Sequence, residues 1–171
     1  MLGPMNKHQN ESFSIDILDD SNHKFGLSNN KFTYTKYYFC ESEDDFPVSR
    51  LGIRVFNNNK EEVASSIVIG FSGETDIYKN AYLIDSDLLL VCCCDTLICL
   101  SIPTLEINWK KSLDNTLCLK ILKLEKDYLI YGRNEVTRID GNGNIKKQYK
   151  NEFISFDIQT IWNSLNVKYS L

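Results

Sequence analysis

Histidine is almost missing from this chain of 171 residues, which has only His8 and His23, both in the polar N-terminal segment and outside the runs that read as strands. That scarcity removes the usual general base and most metal constellations, and a Ser–His or Cys–His nucleophile would have to borrow one of the two. Long apolar runs are missing too. Nothing approaches the roughly 18 apolar residues that span a bilayer, and Met1–Ser12 lacks an apolar core of signal-peptide length, so neither a membrane segment nor export by that route is expected. No Gly-x-x-x-x-Gly-Lys phosphate loop or Gly-x-Gly-x-x-Gly fingerprint occurs, and Gly70-Phe71-Ser72-Gly73 lacks the spacing of a nucleophile elbow. The expected cofactor set is empty, with no metal, and no catalytic residue stands out.

What is present fits one folded domain. The sequence is 43% hydrophobic and 25% charged, too apolar for a disordered chain, and a domain of this length buries roughly 70% of its unfolded surface. Six cysteines (Cys40, Cys92, Cys93, Cys94, Cys99 and Cys118) are not spaced as a disulfide framework, so a reducing cytoplasm is the expected home. Strand alternation would send Cys93 to the face opposite Cys92 and Cys94, and no Cys-x-x-Cys pair completes a zinc site. Packed core thiols are therefore preferred to a metal or redox centre.

Formal net charge is −4, unevenly placed: the first 104 residues carry seven more acids than bases, whereas residues 105–150 carry four more bases than acids. An acidic chain argues against nucleic acid as the partner, and the lysines from Lys110 to Lys150 read as solvated strand faces.

Strand signals recur throughout, as β-branched and aromatic runs broken by Asn, Asp, Gly and Pro. Lys31–Cys40 has aromatics on both faces and should be covered on both sides. Leu51–Phe56 and Val63–Phe71 read as a hairpin about an Asn-rich loop whose asparagines tolerate left-handed angles. Further strands are expected at Leu88–Cys93, Thr96–Ile102, Leu105–Lys110, Thr116–Leu124, Tyr128–Tyr131, Glu135–Ile139 and Asn144–Tyr149, the last two joined by the turn Asp140-Gly141-Asn142-Gly143. Near the C-terminus Ile158, Ile161, Trp162 and Leu165 follow helical spacing after a cap at Asp157, although Ile154, Phe156 and Ile158 also alternate as a strand. The expected organisation is a flexible segment 1–12 and a single β domain 13–171. Its fold class is all-β and mainly antiparallel, a β-sandwich or curled meander sheet of blade-like repeats with a short C-terminal helix.

Asp87–Trp109 and Asp127–Tyr149 superimpose with an offset of about 40 residues, each reading apolar strand, turn, strand, tight turn, strand ending in an aromatic. This order resembles the blades of quinoprotein-type β-propellers, with a worn third unit at Leu51–Gly70. Two or three units are fewer than a closed ring needs.

A wider pattern covers roughly residues 50–150: Arg50-Leu51-Gly52-Ile53-Arg54, Ile84-Asp85-Ser86-Asp87 leading into Val91-Cys92-Cys93-Cys94-Asp95, Leu100-Ser101-Ile102-Pro103 through Trp109-Lys110, and Arg138-Ile139-Asp140-Gly141-Asn142-Gly143-Asn144-Ile145. It resembles a group of small bacterial cytoplasmic proteins of the immunity type, encoded beside secreted toxins. Tyr131-Gly132-Arg133-Asn134-Glu135 departs from that group, where a His-Gly-Glu stretch is common. The resemblance implies a non-enzymatic protein that binds and neutralises a partner toxin.

A toxin that cuts nucleic acid has a basic groove, and the acidic run Glu41, Glu43, Asp44 and Asp45 would complement one, although such a run also suits an ordinary solvated turn. These four residues are the candidate partner-binding site, and Trp109 and Trp162 are core candidates first and interface anchors second. The alternatives are a structural or regulatory interaction module of propeller-like repeats and, last, a hydrolase using unpaired carboxylates.

Overall fold

The computed structural model describes residues 6–9, 12–40, 49–71, 81–113 and 117–150, and they form thirteen strands and no helix. The first sheet holds β1 (Asn6–Gln9), β2 (Phe13–Asp19), β3 (Lys36–Phe39), β4 (Ser49–Asn57) and β5 (Glu62–Gly70), in the order β1-β2-β4-β5-β3. The second runs in chain order through β6 (Tyr82–Asp85), β7 (Leu88–Cys93), β8 (Thr96–Ser101) and β9 (Ile107–Ser112). The third does the same through β10 (Cys118–Leu124), β11 (Asp127–Gly132), β12 (Glu135–Asp140) and β13 (Ile145–Lys150). Every pairing is antiparallel except β3 with β5, which is parallel. The fold is thus all-β and mainly antiparallel, and the repeated segments Asp87–Trp109 and Asp127–Tyr149 fall on corresponding strands of the second and third sheets.

The sheets stack face to face with the second in the middle, which explains its unbroken apolar runs. On β7, Leu89 and Val91 meet Ile17, Ile53 and Val55 of the first sheet, while Leu90 and Cys92 meet Ile121, Ile130 and Ile139 of the third. On β8, Ile98 and Leu100 take the first direction and Leu97 and Cys99 the second. A strand buried on both faces has no reason to alternate with polar residues. Full burial of one such leucine or isoleucine stabilises the fold by about 1.5–3 kcal/mol.

The structure differs from the sequence-based expectations at several points. Asn6–Gln9, within the segment expected to be flexible, pairs with β2, and His8 lies in that strand with its ring 5.8 Å from that of Tyr82. Strands β2 and β6 had no counterpart in the sequence reading; β2 alternates Ile15 and Ile17 with Ser14 and Asp16, a period masked by its flanking Asp and Ser residues. Only Lys36–Phe39 of the ten-residue run Lys31–Cys40 is strand, because residues 20–35 cross the outer face of the first sheet to bring β3 alongside β5. Its aromatics are covered on both sides as expected: Tyr37 and Phe39 pack with Ile67 and Ile69, and Tyr38 with the central core. In the β4–β5 loop the left-handed residue is Lys60 (φ 65°), since Asn57 is occupied in accepting the N–H groups of Asn59 and Glu61. Strand β9 starts at Ile107 and not at Leu105, which (φ 57°) is turned into the core beforehand. The expected helix after Asp157 lies outside the described residues.

Candidate functional site

All six cysteines are buried, and three of them mark one end of the stack. Cys93 faces the first sheet and Cys92 the third, as alternation requires, but Cys94 joins Cys93 on the first-sheet side. The correction has a local cause: β7 has ended, and Cys94 sits at φ 54° in the turn before Thr96. Burial raises the Cys92 thiol well above its ordinary range, and for Cys93 the thiol of Cys40 is the leading cause of a similar rise. These thiols are protonated packing groups with little nucleophilic character.

That turn gathers backbone from all three sheets. The Thr96 hydroxyl lies 3.4 Å from Cys40 O, and Ser49 Oγ lies 3.5 Å from Cys93 Sγ. A Cβ on Gly70 would sit 2.3 Å from Cys94 Sγ, so only glycine lets β5 pass there. Cys92 N–H donates to Ala81 O (2.7 Å), Leu113 N–H to Asp95 O (3.0 Å) and Cys118 N–H to Cys94 O (2.6 Å). Asp95 accepts from the hydroxyls of Thr96 (2.6 Å) and Ser112 (2.8 Å), which fixes the turn. The candidate residues Glu41, Glu43, Asp44 and Asp45 lie outside the described residues, but Cys40 and Ser49, which flank their segment, both touch this turn.

A second polar constellation, which sequence reasoning missed, sits in the crossover 20–35. His23 is not outside the strand-rich body: it is only 2% exposed, with Nε2 3.2 Å from Tyr37 OH and Nδ1 3.6 Å from Asp20 Oδ2. Burial pulls its pKa down against the attraction of Asp20, so the ring is neutral at pH 7. Tyr34 OH donates to Asp20 Oδ2 at 2.9 Å, and burial and that bond both push its pKa up. Tyr34 lies over Gly52, where a Cβ would come within 2.1 Å of the hydroxyl. Beside this cluster is a cleft of about 290 Å³ lined by Asp19, Asp20, Asn22, Lys24, Asn30 and Lys31, among others. The one hydrogen bond of the ring is from Nε2 to Tyr37 OH, which ties the crossover to β3, while Nδ1 is buried with no hydrogen-bond partner among the described residues. The one signal available in the sequence was the Asp20-x-x-His23 spacing, which is too common to single out.

The crossover also carries the most exposed large apolar side chains among the described residues, Phe25 (67%) and Leu27 (49%). Asn30 pins their loop by accepting from Lys24 N–H and donating to Lys24 O and Leu27 O, all at 2.7–2.8 Å. The Phe25 ring packs edge-on against Tyr37 (4.9 Å) and Phe39 (5.9 Å), and Phe39 lies 5.9 Å from Phe71. Among the described residues no group of three His, Cys, Asp or Glu side chains is placed to hold a metal ion, and no helix is long and apolar enough to cross a membrane. No protein family matches the chain, and no curated protein is significantly similar to it.

Proposed function

We propose that this chain is a non-enzymatic binding protein of the immunity type, which neutralises a partner toxin by covering a basic surface. The observation that carries the reading is the convergence on the Cys93–Thr96 turn of residues flanking the segments 41–48, 72–80 and 114–116. Those segments contain seven acids (Glu41, Glu43, Asp44, Asp45, Glu74, Asp76 and Asp114) against one base, Lys79. A rigid scaffold presenting clustered loops is the usual construction of a β-protein binding face, and an acidic one accelerates capture of a basic partner. Burial of the thiols and of His23 supports binding over catalysis.

The stacking of successive antiparallel sheets favours a second reading, a structural or regulatory interaction module of propeller-like repeats. Affinity purification of the tagged chain from its source cells separates the two. The immunity reading expects one basic effector in near-equal amount, lost or weakened when Glu41, Glu43, Asp44 and Asp45 are all changed to Ser. Recovery of large assemblies without such an effector would support the module instead.

A further inference from the structure

Alternation divides the side chains of the third sheet between two faces. Ile121, Ile130 and Ile139 take the face that packs on the second sheet. Leu122, Leu129, Tyr131 and Val136 take the other, where with Leu124 they form an apolar cluster of their own. An antiparallel sheet at the end of a stack ordinarily turns a polar, solvated face outward, and the outermost unit of a stacked array needs one to stay soluble. This face is neither polar nor solvated. Leu129 is 0% exposed, Val136 3% and Tyr131 5%, values that match the central core and are reached within one chain. Among the described residues, no strand of another sheet packs on it, because the third sheet meets the second through its opposite face.

We propose that residues 151–171 are the closing layer of the stack, docked through their apolar side chains on the outer face of the third sheet over Leu122, Leu129, Tyr131 and Val136. Connectivity selects this segment from those outside the described residues. Residues 1–5 and 10–11 flank β1 and residues 41–48 join Cys40 to Ser49, all in the first sheet, while residues 72–80 run from the first sheet to the second. Residues 114–116 are too short a link to reach Leu129 in mid-sheet. Residue 151, by contrast, leaves from the third sheet itself: Lys150 pairs with Glu135, next to Val136 and at the end of the sheet where Tyr131 lies. The segment has the apolar side chains a cover requires, with Phe153, Ile154, Phe156, Ile158, Ile161 and Trp162 within its first twelve residues. Tyr149, opposite Val136 on the same face, is 38% exposed, which confines the cover to β10–β12. A second copy is not needed to close this face, since the burial is complete in one chain. The segment takes the place that the next unit of a longer array would occupy.

Photo-cross-linking of the full chain tests this directly. With benzoylphenylalanine in place of Leu122, which is half-buried on that face, the cross-link should fall within residues 151–171 of the same chain when mapped by mass spectrometry. The same probe in place of Ile107, exposed on β9 of the middle sheet, should give no link to that segment. In the full chain, Leu122→Asp should speed amide exchange across 151–171 about tenfold or more, with β4 and β7 much less affected. If circular dichroism shows that Leu122→Asp does not fold, Leu124→Asp, also half-buried in the cluster, gives the same reading. A cross-link from position 122 to another segment or to a second chain, no cross-link to 151–171, or exchange in that segment indifferent to the Asp substitution would each overturn the proposal.

Discussion

Gly52 shows how tightly the crossover is fitted to the first sheet. A methyl group there collides with Tyr34, whose hydroxyl is committed to Asp20, and the ring cannot retreat without breaking that bond. Gly52→Ala is expected to destabilise the protein by about 2–3 kcal/mol, combining overpacking with a lost hydrogen bond to a charged group, as measured by urea unfolding. Ser66 presents the opposite case. It is fully buried between the first and second sheets, and its hydroxyl has no hydrogen-bond partner among the described residues. Removing an unpaired buried hydroxyl relieves a desolvation cost, so Ser66→Ala should leave stability unchanged or raise it by up to about 1 kcal/mol in the same assay. A loss above that amount would mean that the hydroxyl has a partner in solution. Neither contact could be read from the sequence, since Gly52 and Ser66 stand in strands whose neighbours are fixed only by register.

Among the elements, the β12–β13 hairpin was the most legible. Asp140 Oδ1 accepts the N–H groups of Asn142 and Asn144, and Gly143 takes φ 82°, the chemistry that an Asp-Gly-Asn-Gly run announces. What the sequence could not show is that Trp109 of β9 closes over this turn, its Nε1 donating to Gly141 O at 3.1 Å and its ring against Gly143. Gly143→Ala therefore meets both a left-handed backbone and the indole, and should cost at least about 1–2 kcal/mol, with a blue or red shift in tryptophan emission reporting the displaced ring. The cysteine strand was half legible. Alternation placed Cys92 and Cys93 correctly, but the sequence gives no sign that the strand stops before Cys94. The crossover 20–35 was hardest to read: its order comes from Asn30, Asp20 and His23, polar residues that look like any loop until their partners are known.

At the scale of the whole molecule, the all-β class followed from the turn spacing, whereas the three-layer stack did not, because stacking depends on which faces meet. Its joints make stability depend on pH. Asp85 in the middle sheet accepts from Lys123 and from Tyr128 OH (2.7 Å) in the third, and these bonds, Lys123 foremost, hold its carboxyl below the ordinary value of 3.8. For Asp127 burial pushes upward, but Lys146 and Arg138 outweigh it and the net shift is down. Carboxylates depressed in the folded state contribute stability above their unfolded pKa and lose it as pH falls through the folded one. His23, also depressed, contributes above its ordinary 6.5 and loses that contribution as pH falls below it. Melting temperature should therefore fall in two stages, first below about pH 6.5 and again below about pH 4. Asp85→Asn should lower stability at pH 7 by about 1 kcal/mol and flatten the second stage. A melting temperature unchanged between pH 7.5 and 5 would contradict the placement of His23.

The proposed capture of a basic partner by Glu41, Glu43, Asp44 and Asp45 is tested most directly by the association rate of this chain with the protein that co-purifies with it, followed by stopped flow at increasing ionic strength. Electrostatic capture predicts a one-to-one complex whose association rate drops steeply with salt and is slowed about tenfold or more when Glu41, Glu43, Asp44 and Asp45 become Ser, with dissociation much less affected. An association rate indifferent both to salt and to those four substitutions would contradict the account.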